Sequence, residues 1–263
     1  EALVQDLHRK VDELSARQRD LVLSVADLQA AQPPPSAAPF SLVERTPLAL
    51  SSDDHLHPRG AIQDNSRNLA FVDACERIFP DRPLHVLDLG CAGGGMVRDF
   101  LLLGHRAMGL DGTDASLRAR RAAWRLIPGH LDTCDITRPF VIRDGPHGAR
   151  FHVITAWEVM EHIPEEALPG LFANIRAHLA PGGLFICSVA TFRDEDPARG
   201  AIYHVTVRPR DWWVAKAAAH GFSPAEGVVV PTDAMVRGSG NGALDWDAAR
   251  QPNMGFHLLL RAP

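Results

Sequence analysis

In the stretch AWEVMEH, residues 156–162, two glutamates and a histidine follow directly on an apolar run, FHVIT. Glu158, Glu161 and His162 stand at i, i+3 and i+4, positions that share one face of a helix. Their side chains can therefore converge on one small volume. Two carboxylates and an imidazole suit Mg2+ or Mn2+ better than an all-oxygen calcium site. A divalent cation held there would lower the pKa of an alcohol and fix two neighbouring hydroxyls. A further ligand is expected from elsewhere, and AIYHVT offers His204. Glu161, His162 and His204 are thus the candidate catalytic groups, either histidine being able to act as general base instead of ligand. A plainer reading has Glu158 capping a helix, Glu161 in solvent and His162 in a structural hydrogen bond.

A second stretch, VLDLGCAGGG, places glycine at 90, 93, 94 and 95 beside the small Ala92. Such text lets a strand turn sharply into a helix and lets a ligand lie against bare backbone. Asp111 follows at the end of the next strand, about 20 residues on, where an acid grips ribose hydroxyls. Gly90-x-Ala92-x-x-Gly95 also tolerates a nicotinamide dinucleotide fingerprint. Asp88 argues against it. An acid at the strand tip repels a pyrophosphate, whereas it suits S-adenosylmethionine, with its sulfonium and ammonium and no phosphate.

The elements that must carry these residues alternate. LHVLDLG, RAMGLDG, HLDTCDI, FHVITAWE and GLFICSVA read as five short buried strands, and EGVVV and GFHLLLRA as two late ones. PEEALPGLFANIRAHL and RPRDWWVAKAAAHGF read as helices, the second closed by Gly221. DNSRNLAFVDACERIF has helical spacing with Asp64 or Asn65 as N-cap. Alternation of this kind predicts a doubly wound α/β fold, a mostly parallel sheet covered on both faces.

The chain resembles the class I S-adenosylmethionine-dependent methyltransferases from about Asp64 to its end, through VLDLGCAGGG, GLDGTD, CDIT, FHVITAWEVMEHI and LAPGGLFICSV. The resemblance implies seven strands in the order 3-2-1-4-5-7-6. It implies a methionine-side loop of Gly90, Cys91, Ala92 and Gly94, with Asp88 near the amino group. Asp111, followed by Gly112, would bind the ribose, Asp135 and Ile136 would flank the adenine, and Trp157 would adjoin the cofactor. Ala92 departs from the more usual glycine, which a negative φ would tolerate. E-x-x-E-H with a distant histidine also resembles the metal-dependent O-methyltransferase branch, including small-RNA 3′-end 2′-O-methyltransferases and, for E-x-x-E-H, ubiquinone-biosynthesis O-methyltransferases. That implies a vicinal diol bound to a cation at Glu158, Glu161, His162 and His204.

Bulk properties narrow the acceptor. The 263 residues carry a net charge of −5, so no overall basic field draws nucleic acid. The local run RARRAAWR is read as a solvated helix face. Four cysteines without CxxC spacing suit a reducing cytosol, and no apolar run reaches the ~18 residues of a membrane span. Trp157, Phe192, Tyr203, Trp212 and Trp213 near the rim suit a sugar face, although the last two on a helix also suit a core. The expected activity is O-methylation of a sugar hydroxyl in a saccharide or glycosylated natural product. Metal-free N-, C- or O-methylation of a small molecule and RNA 3′-terminal 2′-O-methylation are the alternatives.

Ahead of a domain at 61–263, QPPPSAAP opens a linker and irregular segment (32–60), and residues 1–31 repeat in heptads. Val4, Val11, Gln18 and Val25 share one position and Leu7, Leu14, Leu21 and Leu28 its partner, the pattern of a two-stranded coiled coil. Deleting residues 1–32 is expected to lower the mass seen by light scattering; an unchanged mass refutes coil-driven assembly.

Overall fold

The computed structural model describes residues 39–50, 53–58, 60–80, 83–235 and 251–263. The heptads of residues 1–31 and the prolines at 33–35 lie outside the described residues.

The domain is built on a seven-stranded sheet, its strands numbered in chain order: β1 (His85–Leu89), β2 (Arg106–Asp111), β3 (Leu131–Thr133), β4 (Phe151–Trp157), β5 (Leu179–Ala190), β6 (Ser223–Pro224) and β7 (Gly255–Arg261). Their spatial order is 3-2-1-4-5-7-6, as expected. β1 pairs in parallel with β2 and β4, β2 with β3, and β4 with β5. β7 runs antiparallel to both β5 and β6.

Neighbouring side chains on a strand point to opposite faces, and here both faces are covered. Val86 of β1 joins a core with Phe71 and Val72 of α1 (Leu69–Ile78) and Val97 and Phe100 of α2 (Gly95–Leu102). Leu87 joins the opposite core, with Leu171, Phe172 and Ile175 of α3 (Leu168–His178) and Trp213 of α4 (Arg210–Ala219). Burial on both sides explains why the strands read as continuous apolar runs.

Three local expectations change. The N-cap of α1 is Asn68, not Asp64 or Asn65; its side chain accepts from Phe71 N at 3.0 Å. The strand before the last is Ser223–Pro224 rather than residues 226–230, because Gly227 turns at φ +75° and leaves Val229 exposed while Val230 enters the core. RARRAAWR is no simple helix face: Arg121 donates to Ala61 O at 2.9 Å and Asp64 O at 2.8 Å, tethering residues 60–64.

The segment from Pro39 to Gln63, aperiodic as text, is folded. Strand Ser41–Glu44 pairs antiparallel with Val141–Asp144, and Phe40 packs edge-on against Phe151 at 4.9 Å. Ala49 N then donates to Gly112 O, and Asp135 N to Thr46 O, which lays the segment over the carboxyl ends of β2 and β3. Two short helices, Asp53–Leu56 and Gly60–Gln63, follow.

Residues 64–68 are anchored to α2 by one buried ion pair. Asp99, fully buried, accepts from Arg67 Nε at 2.8 Å and from Asn68 N at 2.7 Å. Burial pushes its carboxyl up to about 6 despite the adjacent guanidinium. Removing one partner of a buried pair strands the other charge. Arg67→Ala is therefore expected to lower stability by about 3–5 kcal/mol in urea unfolding; a loss below about 1 kcal/mol contradicts the anchoring role.

Candidate functional site

A cavity of about 350 Å³ opens outside the carboxyl ends of the strands, within the size range of small-molecule sites. Of the residues expected at a cofactor, Gly90, Ala92, Asp111, Gly112, Asp135, Ile136 and Trp157 line it. Asp88 and Cys91 do not; with Gly90 and Trp157 they line a smaller hollow of about 20 Å³ beside it, closed by Asp64, Ser66 and Met96. Gly94 lines neither. It starts α2 at φ +79°, where a Cβ would stand 2.4 Å from Leu131, so its smallness serves packing.

The turn after β1 is held open under strain. Ala92 sits at φ +46°, so the negative φ that would make its methyl comfortable is not found. A left-handed alanine costs roughly 1–2 kcal/mol. Its neighbours fix it: Ala92 N donates to Asp111 Oδ2 and Trp124 Nε1 donates to Ala92 O, both at 2.7 Å. The other Asp111 oxygen accepts from Thr113 N at 3.0 Å. Asp111 thus shapes the glycine loop while facing the cavity, and burial pushes its carboxyl up to about 6. Asp135 accepts from the Thr137 amide and hydroxyl at 3.0 and 2.6 Å. Asp88 accepts from Thr155 Oγ1 at 2.7 Å, and burial pushes its carboxyl up to about 7.

At the other end of the cavity His162 and His204 line the wall and the fully buried Glu161, which does not line it, comes together with them, one candidate ligand atom from each lying within 4.8 Å of the others. The remote His204 arrives because Glu161 O accepts both Val205 N and Thr206 N at 2.9 Å. His204 Nδ1 lies 2.7 Å from Phe192 O, and its ring meets that of His162 edge-on at 4.8 Å. Glu161 is fully buried; one oxygen accepts from Ala190 N at 3.2 Å and Oε2 has no partner. The sequence alternative of a solvated Glu161 is therefore excluded.

Glu158 lies close enough to act on the Glu161 carboxyl, and its own Oε1 is buried without a hydrogen-bond partner. It does not begin a helix. It stands at φ +53° after β4, held by Glu158 N donating to Ser188 Oγ at 2.8 Å. Burial pushes both carboxyls up, Glu161 further through its neighbour Glu158. Burial pushes the His162 imidazole down to about 4.

Two lining residues were not legible as functional. Asp54 and His55 arrive on the aperiodic segment; Asp54 Oδ2 lies 3.6 Å from His162 Nδ1, and His55 lies against Gly112, whose absent Cβ would be 2.6 Å from Nε2. The tripeptide DDH within irregular text was the only signal. Of the five aromatics, Trp157, Phe192 and Tyr203 line the cavity, while Trp213 is core and Trp212 packs against it.

A family model described as a methyltransferase domain matches residues 63–226. The chain is 28% identical over 196 residues to the ubiquinone biosynthesis O-methyltransferase of Methylobacterium nodulans, covering 71% of this chain and 76% of that protein. With the like-named protein of Marinobacter nauticus it shares 28% over 104 residues, 39% of this chain and 43% of the other. Among solved structures, the PH0226 protein of Pyrococcus horikoshii OT3 superposes with a TM-score of 0.51 at 15% identity, over 80% of this chain and 99% of that one. The glycopeptide N-methyltransferase MtfA with S-adenosylmethionine gives 0.45 at 20%, over 76% and 96%.

The raised Asp88 has a signed consequence. The unfolded chain loses this proton near 3.8 and the folded protein near 7, so Asp88 costs stability increasingly as pH rises between those values, with the full cost above 7. A cationic ligand beside it favours the ionised form. Affinity for S-adenosylmethionine is expected to rise up to about tenfold from pH 6 to 8, and Asp88→Asn to flatten the profile in calorimetric titrations; a steep profile in the variant sinks the assignment.

Proposed function

This chain belongs to the class I S-adenosylmethionine-dependent methyltransferases, and on that premise we propose that it O-methylates one hydroxyl of a vicinal diol, on a sugar of a saccharide or glycosylated natural product, with help from Mg2+ or Mn2+. One observation carries the cation: Glu161 is fully buried with an unpartnered oxygen, beside a second buried carboxylate and two histidines. Two adjacent buried carboxylates without a counter-charge are costly unless protonated. A divalent cation removes that cost, and the donor set of hard oxygens and imidazoles fits one.

In this reading Glu161, His162 and His204 hold the ion and Glu158 completes or supports the set. Bound there, the ion would supply a Lewis acid that lowers the pKa of an acceptor hydroxyl. S-adenosylmethionine supplies a methyl on a positive sulfonium, open to attack by oxygen. The chain's own residues do the positioning. Asp88 receives the cationic amino group beside the glycine turn. Asp111 offers its remaining lone pairs to ribose hydroxyls, and Asp135 with Ile136 borders the adenine end. Trp157, Phe192 and Tyr203 give the cavity an apolar wall against which a sugar face can lie. Burial keeps His162 unprotonated, so one of its ring nitrogens can bind a cation or take the acceptor's proton.

The RNA alternative loses support at the cavity wall. Six carboxylates, Asp54, Asp64, Asp111, Asp135, Glu158 and Asp194, line it, and among the described residues no lysine or arginine does. A phosphate-bearing acceptor needs cations there.

Transfer of a labelled methyl group to a panel of saccharides, with and without adjacent free hydroxyls, is expected to label only the diols. Glu161→Ala and His204→Ala are each expected to lower turnover by roughly 100-fold or more, while S-adenosylhomocysteine still binds in calorimetry. Near-normal turnover by either variant in EDTA rules out the cation and favours metal-free methylation.

A further inference from the structure

The cation reading rests on two imidazoles presenting lone pairs to one point, and the structure shows how each is set. In a neutral imidazole one nitrogen carries the proton and the other the lone pair. His204 Nδ1 lies 2.7 Å from Phe192 O, an acceptor with no proton to give. Nδ1 therefore carries the proton, and the lone pair falls on Nε2. At His162 the matching position faces Asp54, whose Oδ2 is 3.6 Å from Nδ1. Both side chains are about four-fifths buried, at 18% and 19% exposure, so water screens the contact little. An Nδ1 lone pair aimed at a carboxylate would be repelled; an Nδ1–H is attracted. The two histidines are set differently: His204 by a hydrogen bond to a backbone carbonyl, and His162, whose Nδ1 has no hydrogen-bond partner, by the field of the nearby acid.

Asp54 is itself held in place. Its helix, Asp53–Leu56, is fixed to the loop before His204 by Ile202 N donating to Asp53 Oδ2 at 2.9 Å. Its carboxylate also acts electrostatically on Asp111 at the cofactor end and on Glu161 at the acceptor end. Asp194, His204 and His55 also act on His162, and a Glu161 carboxylate oxygen lies within 4.8 Å of one of its ring nitrogens; Asp54 is the acid in ion-pair range of Nδ1.

Resting on the proposed cation site, we propose that Asp54 is a positioning residue that holds the Nδ1–H tautomer of His162 and so presents its Nε2 to the metal. The segment that carries it becomes part of the active site, although it precedes every strand of the sheet. Carboxylates in this outer role typically change metal affinity by about 10–100-fold.

Two measurements on the full chain test the assignment. Long-range proton–nitrogen spectra of metal-free protein read the His162 tautomer, and Mn2+ titrations followed by the electron spin resonance of the free ion read affinity. In wild type His162 is expected as Nδ1–H. Asp54→Ala is expected to disturb that tautomer and weaken Mn2+ binding about tenfold or more, with S-adenosylhomocysteine affinity within about threefold of wild type; Asp54→Asn, which keeps an acceptor oxygen, should recover most of the loss. An Nε2–H tautomer in wild type, or unchanged Mn2+ affinity in Asp54→Ala, overturns the role of Asp54 and leaves the cation site standing. Equal loss of S-adenosylhomocysteine binding would mean that the segment had come away, which also overturns it. Wild type that binds no Mn2+ overturns the cation site itself.

Discussion

The burial of Glu161 is the constraint on which the site depends. Its carbonyl takes the amides of Val205 and Thr206, which pins the loop after β5 against the turn after β4. Its carboxylate receives Ala190 N at the last residue of β5. One residue therefore joins two strand ends and the loop carrying His204, leaving a single oxygen for other use. A buried carboxylate held only by neutral donors is expensive, so this junction would be a weak point in a merely structural site. In the proposed reading, a divalent ion beside the carboxylates would offset that cost and turn it toward function.

Among the described residues, two of the four left-handed non-glycine residues sit at the strand tips that flank the cavity, the others being Arg120 and Ala122. Ala92 follows β1 at φ +46° and Glu158 follows β4 at φ +53°. Each costs about 1–3 kcal/mol. Each is stabilised by contacts to the other strands: Ala92 through Asp111 at the end of β2, Glu158 through Ser188 of β5. Because β1 lies between β2 and β4, the sheet itself overdetermines these conformations. Parallel pairing brings four strand ends to one edge, and strained residues persist where several ends can hold them. The glycine loop and the carboxylate cluster are in this sense one construction, fixed by the register of β1, β2, β4 and β5.

The parts legible in the sequence are those governed by short-range pattern. Val86 and Leu87, buried on opposite faces, mark β1; the acid at its tip separates one class of ligand from another; E-x-x-E-H announces a convergence that the fold delivers in a short 3₁₀ turn, Met160–His162, rather than a full helix. What stayed hidden depends on long-range partners. Asp54 and His55 stand in text without periodicity, because their segment is held by single hydrogen bonds, such as Ala49 N to Gly112 O, and not by an apolar stripe. The sign of φ at Ala92 was likewise unreadable, since Asp111 and Trp124 decide it from 19 and 32 residues away. The VVV run misled for a related reason: β-propensity describes a half-buried pleated surface, and the Gly227 turn carries these valines away from the edge of β7, which the chain meets as a strand only at Leu260 and Arg261.

The charge of the cavity connects these features to turnover. The lining carboxylates outnumber the basic side chains, of which the described residues supply none beyond histidine. Such a wall favours a ligand with net positive charge in a medium where Coulomb terms are larger than in water. Before methyl transfer the donor carries a sulfonium; afterwards the same sulfur is a neutral thioether, while the wall is unchanged. The acids therefore hold the charged donor more strongly than its spent form. Because the sulfonium's charge disperses toward the acceptor as the bond forms, this attraction belongs more to the ground state than to the transition state, and by itself it aids capture and release rather than the chemical step. In the proposed reaction, acceleration would come from the other end of the cavity, where an acceptor oxygen would gain nucleophilic character. That proposed division of labour, acids along the donor and a carboxylate–imidazole cluster at the acceptor, would follow from where β1, β2 and β4 end.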